Sequence, residues 1–244
     1  MSRTSYKLSE IIQIIGAETS IHSDEYIHDL LTDSRTYSGG KGFVFFAINT
    51  ERNNGHKYIG ELYRKGVRIF VVSNPIEEKE FPDANFLRVE NTLSALQTLA
   101  SAHRQKFNYP VLGITGSNGK TIIKEWLFQI LQPDISVVRS PRSYNSQIGV
   151  PLSLWQMRGN HDLAIIECGI SQKGEMTKLE RIVKPTIGIF INIGPAHQEN
   201  FQDYREKALE KMQLFLHAEV LISCGDHEIV QDVISKEYRG KTFT

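Results

Sequence analysis

The segment Val111 to Thr121 (V-L-G-I-T-G-S-N-G-K-T) puts Gly113, Gly116 and Gly119 just ahead of a Lys-Thr pair. Glycines in such a run let successive backbone N–H groups turn inward and form a concave anion site. An apolar strand precedes the run and a helix follows it, so the positive end of the helix faces the same space. A polyphosphate is the natural ligand of that arrangement. Lys120 can reach the terminal phosphates and the Thr121 hydroxyl can bind Mg2+. Gly116, Ser117, Asn118, Gly119, Lys120 and Thr121 form the candidate phosphate loop. The spacing departs from G-x-x-x-x-G-K-[ST], because Ile114 stands at the first glycine position. The alternative is a glycine-rich turn with a chance Lys-Thr, and the strand–turn–helix context argues against it.

Two more groups lie where strands end. Glu167 closes the apolar run Leu163 to Cys168, and His197 follows the apolar run Thr186 to Ile193. Ligands of open α/β sheets bind at the carboxyl ends of strands. Glu167 is there either as a metal ligand or as a surface carboxylate; the residues alone leave both open. A lone histidine after a strand commonly serves as a loop hydrogen-bonder. Lys211, on a helix expected over Asp203 to Leu216, reads by itself as a solvated lysine. Cys168 and Cys224 stand beside strand ends and read as small buried residues with no catalytic part.

Alternation of strands and helices positions these residues. Strands are expected at 111–115, 163–168, 186–193 and 220–224, with helices at about 121–131 and 203–216, the latter opened by an Asp203…Glu206 capping box. Continuous apolar strands alternating with helices predict a doubly wound, mostly parallel sheet. The first hundred residues read as a small mixed α/β unit. It has helices at 8–15, stopped by Gly16, and 58–65, stopped by Gly66. Strands fall at 43–48 and 67–72, and a helix starts at Thr92 as its N-cap. Asn108-Tyr109-Pro110 is the linker, giving domains 1–108 and 109–244. The chain ends soon after a strand and helix, so the second domain is expected to be incomplete.

Bulk properties narrow the class. The 244 residues are 40 % hydrophobic and 23 % charged, a composition that buries a core. Twenty-eight basic residues balance 28 acidic ones, so no global field favours nucleic acid or an anionic membrane. Two cysteines outside any C-x-x-C spacing fit a reducing compartment. The polar first ten residues lack a signal-peptide pattern, and no run approaches a membrane span. A cytoplasmic protein is expected.

At the loop, T-G-S-N-G-K-T resembles the ATP-binding loop of the Mur ligases. Ser143 to Leu152 (S-Y-N-S-Q-I-G-V-P-L) is similar to the N-Y-N-N-Q-I-G-V-P-L segment of the MurF-type branch, the UDP-N-acetylmuramoyl-tripeptide–D-alanyl-D-alanine ligases. Glu167 to Met176 (E-C-G-I-S-Q-K-G-E-M) resembles its E-M-G-x-x-x-x-G-E-I segment, and Asn192 to Phe201 its histidine motif. Sister enzymes carry E-x-S-S where Gly169-Ile170 stands. Thr32 to Arg35 (T-D-S-R), Gly40 to Ile48 and Asn53 to Ile59 resemble the UDP-binding domain of the family, with Lys41 and Asn54 replacing acidic residues.

The resemblance implies a ligase that uses ATP and Mg2+ to join D-alanyl-D-alanine to UDP-N-acetylmuramoyl-tripeptide through an acyl-phosphate. The architecture it implies is a UDP-binding domain followed by part of the central domain, working as a monomer without nucleic acid or membrane. It implies metal-ligand roles for Thr121, Glu167, His197 and Lys211, with Lys211 carbamylated. Asn145 and Ser146 are expected at the γ-phosphate and substrate carboxylate, and Ser34, Arg35 and His56 at the uracil and diphosphate. The isolated chain is expected to bind nucleotide weakly and not to ligate. Competing readings are another Mur-type, folate or cyanophycin ligase and a non-catalytic nucleotide-binding module. A P-loop kinase lacks an evident acceptor base.

Overall fold

The computed structural model describes residues 4–19, 24–50 and 53–244. The chain divides into two compact units, Met1–Ala102 and His103–Thr244.

The first unit runs β1 (Tyr6–Lys7), α1 (Leu8–Ile15), β2 (Tyr26–Ile27), β3 (Asp29–Leu31), β4 (Phe43–Phe46), β5 (Asn49–Thr50), β6 (Asn53–Asn54), α2 (Ile59–Lys65), β7 (Ile69–Val72), β8 (Asn85–Arg88) and α3 (Thr92–Arg104). Its sheet has the order β3-β4-β7-β8 with every pair parallel. The pairs β1–β2 and β5–β6 are antiparallel. Aromatic residues fill the core: Phe70 stacks on Phe86 at 5.5 Å, and Phe45 meets Phe70 edge-on at 6.3 Å. Strand β8 was not legible because Asn85 and Arg88 break its apolar pattern, although Phe86 and Leu87 are buried. Thr92 is not the cap expected of it. Asn91 Oδ1 accepts from Ser94 N at 2.9 Å, while the Thr92 hydroxyl donates to Ala47 O at 3.2 Å inside the core.

The second unit runs β9 (Val111–Thr115), α4 (Lys120–Leu131), β10 (Val137–Arg139), α5 (Gly149–Leu154), β11 (Leu163–Glu167), α6 (Glu175–Val183), β12 (Ile187–Phe190), α7 (Tyr204–Met212), β13 (Val220–Ser223), α8 (Glu228–Glu237) and β14 (Lys241–Phe243). Its six strands lie in the order β10-β11-β9-β12-β13-β14, all parallel. The doubly wound parallel sheet read from the apolar runs is therefore present. From β9 the chain first fills one side and then crosses to the other, so the carboxyl end of β9 lies at the switch point where such sheets bind ligands.

Strand alternation assigns the faces. Leu112 and Ile114 join Leu163 and Ile165 under Ile123, Leu127 and Leu131 of α4. On the opposite face Gly113 lies close to Pro185 and Leu214, and Gly188 lies under Phe215. Gly113 thus serves close packing within β9 rather than the phosphate turn. The short edge strand β10 and helices α5 and α6 were not read from sequence. Helix α7 ends at Met212, and a 3-10 turn at 213–215 completes the expected span. Its cap is half of a box: Asp203 Oδ1 accepts from Glu206 N at 2.8 Å, but the Glu206 carboxylate accepts from Gln202 N at 2.8 Å. Cys168 is buried as expected, whereas Cys224 is exposed, because β13 already ends at Ser223.

A Cβ at position 188 would lie 2.5 Å from Phe215 Cδ1 and 2.9 Å from Leu221 Cδ1. Gly188→Ala is expected to cost about 1–3 kcal/mol by overpacking, read as a fall of several degrees in thermal midpoint. An unchanged midpoint would show that Phe215 repacks freely.

Candidate active site

Three strand ends meet in one row. Registry pairs Glu167 with Ile114 and Phe190 with Thr115, so the turns after β9, β11 and β12 emerge side by side. The turn after β9 is held from outside by Asn192. Its Oδ1 accepts from Ser117 N at 3.1 Å and Asn118 N at 3.0 Å, and its carbonyl accepts from Ser117 N at 3.0 Å. Ser117 Oγ donates to Gly194 O at 3.2 Å and accepts from Gly194 N at 2.9 Å. Gly119 closes the turn at φ 80, a left-handed conformation that favours glycine. The first intrahelical bond of α4 is Ile123 N to Gly119 O at 3.0 Å, so the N–H groups of Lys120, Thr121 and Ile122 belong to its open amino end.

Glu167 is 1 % exposed. Thr121 Oγ1 donates to its Oε2 at 2.9 Å, and Asn145 Nδ2 donates to its Oε1 at 2.7 Å. Ser143 Oγ lies 3.2 Å from the Thr121 hydroxyl. Lys124 is fully buried one turn along α4. Its ammonium lies 3.7 Å from Glu167 Oε2 and 3.3 Å from Glu125 Oε1, and it donates to Arg142 O. Arg142 has a left-handed backbone at φ 47 in the loop that delivers Ser143 and Asn145.

Lysines surround this carboxylate. Lys120 donates to Gly116 O at 2.8 Å and Ser117 O at 3.3 Å. Burial pushes its pKa down, against the pull of Glu167. Lys211, 2 % exposed on α7, donates to the same Gly116 O at 3.2 Å. Burial first, then repulsion from Lys120 and Lys207, brings it down to about 7. A site with clustered ammonium groups and helix-end N–H groups is matched to a polyanion.

The expected residues therefore separate. Lys120, Thr121, Asn145 and Glu167 are in mutual contact or one residue removed, and Lys211 joins them through Gly116. Ser146 is committed locally: its Oγ accepts from Gly149 N at 3.1 Å and opens α5. His197 is exposed, with a left-handed backbone at φ 59, and its ring makes no hydrogen bond to another described residue. Among the described residues no group of three His, Cys, Asp or Glu side chains gathers to hold a metal. Lys124, Asn192 and Lys207 also belong to this neighbourhood, and no local sequence pattern marks them for it.

In the first unit, a cavity of about 510 Å3 is lined by Asn49, Thr50, Ser73, Asn74, Glu90, Asn91 and Thr92, beyond the carboxyl ends of β4, β7 and β8. His56 supports it from behind. Its Nε2 accepts from Ser73 N at 3.0 Å and Asn74 N at 3.1 Å, so the proton sits on Nδ1, 2.8 Å from Asn54 Oδ1. Burial lowers its pKa and keeps the ring neutral. Ser34 is buried in a 3-10 turn, and Arg35 is exposed and paired with Asp33 at 2.6 Å; neither lines the cavity.

A parallel α/β sheet with a glycine-rich turn opening a helix at its switch point is the arrangement on which nucleotide-binding folds are built. The chain belongs to the Mur ligase family: residues 114–243 match the Mur ligase middle domain, and residues 26–104 match the Mur ligase family catalytic domain. It is 33 % identical over 229 residues to the UDP-N-acetylmuramoyl-tripeptide–D-alanyl-D-alanine ligase of Synechocystis, covering 93 % of this chain and 50 % of the relative. To the Bacillus subtilis ligase of the same name it is 30 % identical over 242 residues, covering 96 % and 51 %. The crystal structure of MurF from Acinetobacter baumannii superposes with a TM-score of 0.87 at 26 % identity, covering all of this chain and 54 % of that one. MurF of Thermotoga maritima, solved in complex with ADP, gives 0.74 at 25 % identity over 87 % of this chain and 49 % of that one. The chain spans about half the length of the curated relatives it matches.

Lysine titrates near 10.5 when unfolded and Lys211 near 7 when folded. Between those values the unfolded chain binds more protons, so stability from this group is lowest at and below pH 7 and rises towards pH 10.5. Relative to wild type, Lys211→Met is expected to lose advantage on the order of 3 kcal/mol between pH 7 and pH 9.5 in chemical denaturation. A difference that does not change with pH would contradict a buried, easily deprotonated Lys211.

Proposed function

We propose that this chain is the front half of an ATP-dependent ligase that joins D-alanyl-D-alanine to UDP-N-acetylmuramoyl-tripeptide. The observation that carries the reading is the buried Glu167 carboxylate hydrogen-bonded to the first hydroxyl of the phosphate-loop helix. The names of the relatives support the substrates. In the proposed reaction a substrate carboxylate oxygen attacks the γ-phosphorus of ATP and ADP leaves. The amine of the dipeptide then attacks the acyl carbon, phosphate departs, and the amine loses a proton. Such chemistry depends on positioning and on neutralising charge at the transferred phosphoryl group.

The residues take roles accordingly. The N–H groups opening α4 and the ammonium of Lys120 hold phosphate oxygens. Asn145 orients Glu167 and faces the transferred group. The cavity beside His56 takes the nucleotide-sugar end of the substrate, and Ser34 and Arg35, which do not line it, are proposed for the part of that ligand outside it. A carboxylate and a hydroxyl 2.9 Å apart are two oxygen donors of the kind Mg2+ takes, so Thr121 and Glu167 would hold it, and His197 is proposed as a further ligand on the resemblance of its motif. When bound, Mg2+ would offset negative charge on the phosphates. A neutral Lys211 amine can add CO2, releasing a proton and leaving a carbamate anion, and we propose that modification. A crystal structure at bicarbonate-rich, mildly alkaline pH without added density on Lys211 would count against it. The proposed reaction belongs in the cytoplasm, where ATP and nucleotide-linked precursors meet.

The test is phosphate release by the product of the whole gene with Mg-ATP and UDP-N-acetylmuramoyl-tripeptide. D-alanyl-D-alanine is expected to stimulate release at least tenfold more than any single amino acid, a discrimination of about 1.4 kcal/mol or more. Equal stimulation by single amino acids would overturn the substrate assignment. No stimulation by any amine would leave a nucleotide-binding module.

A further inference from the structure

Lys207 is 1 % exposed, yet its charge faces no carboxylate within ion-pair distance among the described residues. Its ammonium instead donates to Gly194 O at 2.6 Å, to Ala196 O, and to Gln198 Oε1 at 3.4 Å. The rings of Phe201 and Tyr204 lie 6.0 and 5.8 Å from the ammonium. Three oxygen acceptors and two aromatic neighbours make a cradle for a cation, and the protein fills it with its own side chain. An ammonium costs much to bury, so the loop that satisfies it is held as firmly as the lysine is.

That loop contains His197. Ala196 and Gln198 flank it on either side, and both are gripped by Lys207, while His197 itself sits in left-handed backbone. Gly194 O accepts from Lys207 and from Ser117 Oγ, so the same carbonyl ties this loop to the phosphate loop. One turn on, at i+4 of the same helix, Lys211 reaches Gly116 O. Helix α7 thus grips two adjacent turns with two lysines.

We propose that Lys207 is a positioning residue that sets His197 relative to the phosphate loop, and through it the Mg-nucleotide affinity of the site. This inference rests on the nucleotide reading above. Its experiment measures Mg-ADP binding by calorimetry for the unaltered chain, Lys207→Met, Lys207→Arg, His197→Ala and the Lys207→Met/His197→Ala pair, with a thermal midpoint for each. Lys207→Met is expected to weaken Mg-ADP binding about tenfold, the scale of lost hydrogen bonds to a charged group. In the His197→Ala background the same change is expected to weaken it less than twofold, because the two act as a unit. Lys207→Arg, which keeps charge and donors, is expected to recover most of the affinity in a chain that melts like the wild type.

A Lys207→Met chain that binds like wild type, or a loss as large without His197 as with it, overturns the proposal. So does a loss that follows only a collapse of the thermal midpoint in both Lys207 variants. If the unaltered chain shows no Mg-ADP binding at all, the nucleotide reading falls first and this inference with it.

Discussion

A carboxylate buried at the end of a strand is unstable unless charge and donors meet it there. At Glu167 they come from three directions. Lys124 supplies charge from α4, Thr121 a hydroxyl from the opening of that helix, and Asn145 an amide from the loop after β10. Two partners belong to α4 and the third to the loop after β10, so satisfying this one group fixes both segments against β11. The cost of breaking such an arrangement by removing one partner exceeds its net worth when intact, because the remaining charge stays buried. The position of the phosphate loop relative to the strands on either side follows from that constraint.

The surrounding lysines turn the same constraint into a binding preference. Lys120 and Lys211 share Gly116 O, and Lys207 shares Gly194 O with Ser117. These cations are held by backbone carbonyls rather than by carboxylates, and burial depresses the pKa of each. A polyphosphate arriving at the loop brings the charge that these groups lack. Binding energy at such a site comes from relieving repulsion already present in the folded chain, as well as from new hydrogen bonds.

Local chemistry was legible in the sequence and long-range placement was not. The strand–turn–helix around Lys120, the stops at Gly16 and Gly66, and the apolar runs of β9, β11, β12 and β13 are all encoded within a few residues. Lys124 reads as an ordinary helix lysine; its burial depends on α4 lying over β11, which no local pattern reveals. Asn192 holds Ser117 and Asn118 only because β12 pairs with β9 in a particular register. Ser146 reads as a ligand within its motif; in the structure its hydroxyl oxygen also accepts from Gly149 N at the start of α5. Edge strand β10 is three residues long and too short for a periodic signal.

Thr121 and Glu167 are proposed to form the oxygen site beside the phosphate loop. The most direct measurement is a crystal structure of the chain grown with a non-hydrolysable ATP analogue and Mn2+, read by anomalous scattering at the manganese edge. A metal held at that site gives an anomalous peak within about 2–2.5 Å of the Thr121 hydroxyl, on the Glu167 side, with the analogue's phosphates on the N–H groups that open α4. Nucleotide bound with the metal elsewhere, and the Thr121–Glu167 hydrogen bond undisturbed, would contradict it.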